Sequence, residues 1–408
     1  MMALTTLANG LRVASRPMQS VETVAVGLYA PTGSRYEPAA LNGVAHLFEH
    51  MVFKGAGGRS AREISEAVED VGGDLNASTD RELTAFYATL LAPDLALGVN
   101  LLADLVRRPH FEPRHLELEK KVVVQELAEA RDTPSDIVFD HLQEAAFPEQ
   151  PLGRPVLGSE ATIRGITIDD LQAWLATHYG ASELVLVAAG KLEHQLLVDL
   201  GQDAFGDMAA SNRLRPEPAT FVGGQHFEPA SGEQAHIAVA MSAPSWGAPD
   251  AFASQLFADV IGAGSSCRLF QELREEQGLA YSVAAGAQNF AGAGMFWAYV
   301  AADRSDAGHV HREVERVLRD TVERLGKREV ERARAMAKAA MLMNLESCWG
   351  QASYLATRLI RDGALIEPSE LVARLDAVTL DEVRVIGEQM LEGPRAIAAV
   401  GAKLALAA

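Results

Sequence analysis

Cysteine is almost missing from this chain: Cys267 and Cys348 are the only two among 408 residues. Two thiols in a chain this long argue against a disulfide framework and fit a reducing compartment. A cytoplasmic protein is therefore expected. Long apolar runs are missing as well. No stretch of about 18 apolar residues occurs, so no transmembrane helix is expected. The first residues, Met1 to Val13, lack the basic start and apolar segment of a signal peptide. They read as a hairpin turning at Asn9-Gly10. Positive charge is in deficit, with 36 Lys and Arg against 55 Asp and Glu and a net charge of −19. That balance argues against nucleic acid and anionic membranes as partners. It permits a negatively lined chamber attractive to basic peptides, although a solvated acidic surface accounts for the same numbers.

What is present is the composition of a globular protein, 48% hydrophobic and 22% charged. The length implies two or more domains, and the chain carries a repeat of itself at a spacing of a little over 210 residues. Thr167-Ile168-Asp169-Asp170-Leu171 opens a helix that leads to the strand Leu184 to Gly190. Thr379-Leu380-Asp381-Glu382-Val383 opens another, leading to Ala396 to Gly401. Both starts are capping boxes, a Thr with an acid three residues on. The cap-to-glycine spacing is 23 residues in one copy and 22 in the other. The halves begin alike too, with β-rich runs at Ala25 to Pro31 and Ile237 to Pro244. The expected fold class is α+β: two homologous domains, each a mainly antiparallel sheet covered by helices. The expected boundaries are residues 1–213 and 219–408, with a polar, Pro-containing junction at Arg213 to Pro218.

The most informative stretch is His46-Leu47-Phe48-Glu49-His50. Leu41, Val44, Ala45, Phe48, Val52 and Phe53 recur at helical spacing around it. On a helix His46, Glu49 and His50 share one face, so two imidazoles can hold one ion with a carboxylate beside it. Zinc suits imidazole and carboxylate ligands, and a catalytic zinc takes three protein ligands and keeps one position open. The third ligand must come from elsewhere. The helix predicted from Pro113 to Ala130 offers Glu117, Glu119, Glu126 and Glu129. Glu119 and Glu126 lie two turns apart on one face, beside Val122-Val123-Val124, which predicts burial. Glu126 is a candidate ligand, and Glu119 a candidate group for orienting a ligand histidine.

His46-Leu47-Phe48-Glu49-His50 resembles the inverted zinc motif of the pitrilysin–insulinase metallopeptidases, the inverzincins. The resemblance implies a third ligand 76 residues after His50, which is Glu126, and an auxiliary acid seven residues earlier, which is Glu119. Gly72 to Thr79, Arg268 to Arg274 and Gly278 to Tyr281 are also similar to that family, so the likeness spans nearly the whole chain. The nearest subgroup is that of the mitochondrial processing peptidases and their short bacterial relatives.

The resemblance implies a zinc endopeptidase with one Zn2+ per chain, acting on unfolded peptides or presequence-like segments. Metal and general base together activate water, Glu49 taking the proton and later passing it to the leaving amine. Asn76, Ala77, Ser78 and Thr79 are expected on an edge strand that pairs with extended substrate, followed by a second strand at Thr84 to Ala88. Arg274 and Tyr281 match a family pair that contacts the substrate backbone and the oxyanion. The second half carries no metal set: Ala253 to Ile261 has neither His nor Glu. The other histidines, His141 and His226 among them, show no second ligand constellation along the sequence, and His309-Val310-His311 reads as the exposed start of a helix.

Long members of the family close four such domains around the peptide. Two domains imply a dimer in which Arg274 and Tyr281 reach the partner's zinc. A homodimer is the simplest case, and a heterodimer with a metal-less homologue is its rival. Two further readings stand beside the enzyme: a non-catalytic scaffold or partner subunit, and a peptide-binding module without turnover.

Overall fold

A computed structural model describes residues 1–210, 215 and 218–404. The expected junction at 213–218 lies outside the described residues apart from Arg215 and Pro218. Thirteen strands are formed among the described residues. They are β1 (Ala3–Thr6), β2 (Arg12–Pro17), β3 (Thr23–Ala30), β4 (Gly55–Ala56), β5 (Arg59–Ser60), β6 (Asp74–Thr79), β7 (Thr84–Leu91), β8 (Val185–Gly190), β9 (Gly224–Glu228), β10 (Gln234–Ser242), β11 (Ala280–Phe290), β12 (Ala293–Asp303) and β13 (Arg395–Val400).

The duplication is written in the sheets. One has the order β1-β2-β8-β3-β7-β6 and the other β11-β12-β10-β13-β9. In the first, β3 runs antiparallel to β7 and β8, and β8 runs parallel to β2. In the second, β10 runs antiparallel to β12 and β13, and β13 runs parallel to β9. Strand for strand the patterns agree, so β6 and β11 occupy equivalent edges. β1 extends the first sheet as the outer arm of the hairpin turning at Asn9-Gly10.

Local chemistry explains the repeat. The Thr167 hydroxyl accepts the Asp170 N–H at 3.2 Å while the Asp170 carboxylate accepts the Thr167 N–H at 2.8 Å. Thr379 and Glu382 do the same at 3.2 and 2.6 Å. Each satisfies N–H groups that the first helical turn leaves unpaired. The strands that follow lead to glycines with positive φ, 133° at Gly190, the last residue of β8, and 90° at Gly401, directly after β13. A Cβ at Gly190 would lie 2.3 Å from the Thr23 carbonyl oxygen, and one at Gly401 2.5 Å from that of Gln234. The closing glycines thus let the backbone pass against the first residues of β3 and β10.

The chain divides into two compact units, Met1–Leu127 with Pro155–Pro216 and Leu342–Glu367, and Ala128–Arg154 with Glu217–Met341 and Pro368–Ala408. A single cut near residues 213–219 therefore does not describe them, because each half contributes a segment to the other unit. The helix Cys348–Arg361 buries Cys348, Ala352, Leu355, Ala356 and Leu359 against Ala14, Ala25, Val185 and Val187 of the first sheet. The helix Pro134–Ala146 buries Val138, Leu142 and Ala146 against Ala238, Ala240, Ala396 and Ala398 of the second. The strand residues receiving both helices are mostly alanine, which lets a helix approach a sheet closely. Among the described residues no helix is long and apolar enough to cross a membrane.

Candidate metal centre

The helix Val44–Val52 carries the histidine motif. Val44, Ala45, Leu47, Phe48, Met51 and Val52 are buried, which leaves the face bearing His46, Glu49 and His50 for polar work. Glu37, buried beneath its start, accepts the backbone N–H groups of Gly43 and Ala45, each at 2.8 Å, and the Asn42 side-chain amide at 2.7 Å. A carboxylate at a helix N-terminus satisfies unpaired donors and complements the helix dipole. Glu37 thus fixes where the motif begins, a role the sequence did not reveal.

The second helix runs from Pro113 to Arg131. It is half-buried: Val123 is covered but Val122 is 41% exposed. It delivers Glu126 beside both imidazoles. Glu126 Oε2 lies 3.9 Å from His46 Nε2 and 3.6 Å from His50 Nε2. The two rings stand edge to face with centroids 4.6 Å apart.

Three observations test whether this group fits a cation. Tetrahedral coordination with bonds of 2.0–2.1 Å puts ligand atoms roughly 3.3 Å apart; the observed separations exceed that by a few tenths of an ångström. Glu126 Oε2 is buried without a hydrogen-bond partner, an orphaned acceptor aimed at two ring nitrogens. Two imidazoles and one carboxylate are also a zinc-type donor set. The residues fit the ion.

Glu119 acts on the opposite side of His50. Its Oε2 accepts from His50 Nδ1 at 3.1 Å, and its Oε1 pairs with Lys54 Nζ at 3.0 Å. A proton held on Nδ1 leaves the Nε2 lone pair directed at the cluster. Burial opposes charge on His50, but Glu119 and Glu126 prevail and hold its pKa above the ordinary value. Burial and the neighbouring His50 push His46 down to about 4, which keeps it neutral.

Glu49 sits beside the cluster. Its Oε2 accepts the Thr79 hydroxyl at 2.5 Å. Burial raises its pKa, and Glu126 adds to the rise against the pull of Thr79 and His50. Thr79 ends β6, which among the described residues pairs with β7 alone, from Asp74↔Thr89 to Thr79↔Thr84. Leu75, Ala77 and Thr79 are partly covered, while Asp74, Asn76 and Ser78 are exposed. The expected edge strand is therefore present, and its last side chain touches Glu49. Arg274 and Tyr281 lie in the other unit. Arg274 belongs to the turn of π-helix Phe270–Glu276, its guanidinium 4.8 Å from the Phe270 ring centroid. Tyr281 begins β11 and is 56% exposed.

Two expectations about the remaining histidines need correction. His311 is not on an exposed surface: it is 8% exposed within the helix Ala307–Arg324. His141 and His226, which looked isolated along the chain, meet each other and Glu228 in space. Nothing local could have shown that, because 85 residues separate the two histidines.

Two family models match the chain. "Insulinase (Peptidase family M16)" covers residues 12–160, and "Peptidase M16 inactive domain" covers residues 165–337. A probable mitochondrial-processing peptidase subunit beta of Arabidopsis thaliana is 32% identical over 98% of this chain and 78% of its own length. An uncharacterized zinc protease of Mycobacterium tuberculosis is 33% identical over 97% of this chain and 92% of its own. A solved protease from Helicobacter pylori superposes with a TM-score of 0.90 at 18% identity, covering 98% of this chain and 99% of its own. A Pseudomonas fluorescens structure described as a peptidase M16 inactive domain gives 0.91 at 18%, covering 100% and 99%. The motif, the strand-for-strand duplication and these relatives agree, and the chain belongs to the insulinase family of peptidases, M16.

Proposed function

We propose that this chain is a zinc-dependent endopeptidase that hydrolyses unfolded peptides or presequence-like segments. The observation that carries this reading is the meeting of His46, His50 and Glu126 around one point, with Glu49 beside it. Relatives named zinc protease support it.

His46, His50 and Glu126 would hold one Zn2+. When bound, zinc supplies Lewis acidity, lowering the pKa of a water to near neutrality and polarising a carbonyl. The other parts of the reaction belong to the chain. Glu49, with a raised pKa and a fixed hydrogen bond from Thr79, takes the water proton and returns it to the leaving amine. Glu119 keeps the proton of His50 on Nδ1. The open edge of β6, near Asn76, Ala77, Ser78 and Thr79, pairs with the substrate main chain. Such pairing ignores side-chain identity, which suits a peptidase acting on varied peptides. Arg274 and Tyr281 stabilise the negative charge that develops on the carbonyl oxygen. They reach the metal centre of a second copy in a closed dimeric chamber. The exposed position of Tyr281, on the strand equivalent to β6, leaves it available for that role.

The test is Glu49→Gln. The variant should keep the zinc held by His46, His50 and Glu126 and lose turnover of a quenched fluorogenic peptide by a factor of at least about 10². Full activity with zinc retained would refute the assignment. A second reading, a subunit working with a metal-less homologue, is favoured by relatives named subunit beta. It predicts full zinc occupancy, no turnover alone, and turnover once the partner is added.

A further inference from the structure

A second cluster of zinc-type ligands lies in the other unit, and none of its residues comes from the helices that carry His46 or Glu126. His141 sits on the helix Pro134–Ala146, and His226 and Glu228 sit two residues apart on β9. The rings of His141 and His226 stack with centroids 3.8 Å apart and planes 6° from parallel. His141 Nε2 is in contact with Glu228 Oε2. Glu144, one turn beyond His141, brings Oε2 to 3.7 Å from His226 Nδ1.

This arrangement is held by its surroundings. The neighbours of His141 on its helix, Val138, Leu142 and Ala145, are buried in the core beneath the second sheet. β9 is fixed by its parallel pairing to β13, where His226 faces Ala398 and Glu228 faces Val400. The Ala146 carbonyl accepts the Val222 N–H at 2.9 Å just before β9 begins. Helix and strand are therefore positioned independently of the polar cluster, so the backbone brings the ligands together and only side-chain rotation is left for an ion to impose. Residues two apart on a strand share a face, as do residues three apart on a helix. His226 with Glu228, and His141 with Glu144, are thus aimed at one another by backbone geometry alone.

We propose that His141, His226 and Glu228 form a second, structural binding site for a divalent first-row transition metal of the zinc class, with Glu144 within reach as a fourth ligand. One ligand atom from each of the three lies within 4.8 Å of the others, and two imidazoles with a carboxylate favour such metals over calcium or magnesium. Entry of the ion opens the parallel stack enough for the ring nitrogens to converge. The ion takes the place of the proton in the His141–Glu228 hydrogen bond, and that proton moves to the other ring nitrogen or to solvent. The bound ion fastens the helix Pro134–Ala146, contributed by the first half of the chain, to an edge strand contributed by the second. A clasp of this kind closes a loop of 85 residues between His141 and His226.

The experiment uses the full chain with His46 and His50 both changed to Ala, which removes the first site. After loading with Zn2+ and gel filtration, its metal content is measured, and Co2+ is titrated with visible absorption as the readout. One retained equivalent, a Co2+ spectrum with nitrogen ligation and a Zn2+-dependent rise in Tm are expected. His226→Ala or Glu228→Gln added to this background should abolish all three. Both side chains are partly exposed, and an unchanged Tm in chelator checks that the variants still fold. No metal retained in the His46/His50 variant would overturn the proposal, as would retention undiminished by His226→Ala and Glu228→Gln.

Discussion

At the residue scale the candidate metal centre depends on groups that would hold its ligands and not the ion. Glu119 is 6% exposed and bridges His50 to Lys54, so it both orients the ring and is neutralised from behind. Glu119→Gln keeps the shape but loses the ion pair. It should lower zinc affinity by about 10–100-fold, measured by competition with a chromogenic chelator. Asp259 shows the opposite economy. Burial lifts its carboxyl from the ordinary 3.8 to about 6, with Gln255 opposing the rise. Below pH 3.8 the group is protonated folded or unfolded and costs nothing. Between 3.8 and about 6 the unfolded chain ionises first, so stability falls as pH rises, by at most about 3 kcal/mol. Asp259→Asn should therefore stabilise the protein at pH 7 by about 1–3 kcal/mol, an advantage that fades below pH 4 in urea unfolding. The ligand pair His46 and His50 and the base Glu49 were legible because they are local and helical, whereas Glu126 as third ligand followed from the resemblance. The roles of Glu37 and Lys54 and the contact of Thr79 with Glu49 were not legible, since they depend on segments meeting in space.

At the element scale the two halves use the same devices. Thr167 and Thr379 each close a capping box ahead of the strand that leads to Gly190 or Gly401. Thr379→Ala should cost about 1 kcal/mol in chemical denaturation. These elements were readable as a pair, because capping is local. β6 makes a different kind of prediction. It is an edge strand, and the Ala77 N–H donates only to the adjacent Asn76 side chain, at 2.8 Å, a bond an incoming peptide can replace. Ala77→Pro deletes that donor. One backbone hydrogen bond is worth about 0.5–1.5 kcal/mol, so kcat/KM for extended peptides should fall by a factor of roughly 2–10 with little change in Tm.

At the scale of the whole molecule, the division of labour is uneven. One unit gathers His46, Glu49, His50, Glu119 and Glu126, and the other carries Arg274 and Tyr281. If both sets serve one reaction across two copies, two inactive variants should rescue each other. Glu49→Gln and Tyr281→Phe homodimers, each with little turnover, should recover about a quarter of native activity after equal mixing and full subunit exchange, since half the dimers are mixed and each has one intact site of two. No recovery, with exchange verified by mass, would exclude a shared site. The net charge of −19 bears on the proposed chamber: if it draws in basic peptides, that attraction should weaken as salt screens it.

The sequence alone determined whatever depends on near neighbours: helix faces, capping boxes, hairpin turns, the ligand pair His46 and His50, and the repetition of these patterns. Periodicity and capping act over a few residues, and a duplicated pattern must repeat its local physics. Tertiary structure decided what depends on distant segments meeting. It exchanged the helices Pro134–Ala146 and Cys348–Arg361 between the halves, because each finds its complementary alanine-rich sheet face on strands from the other half of the sequence. It likewise set His141 against His226, across a separation in sequence that no local period spans.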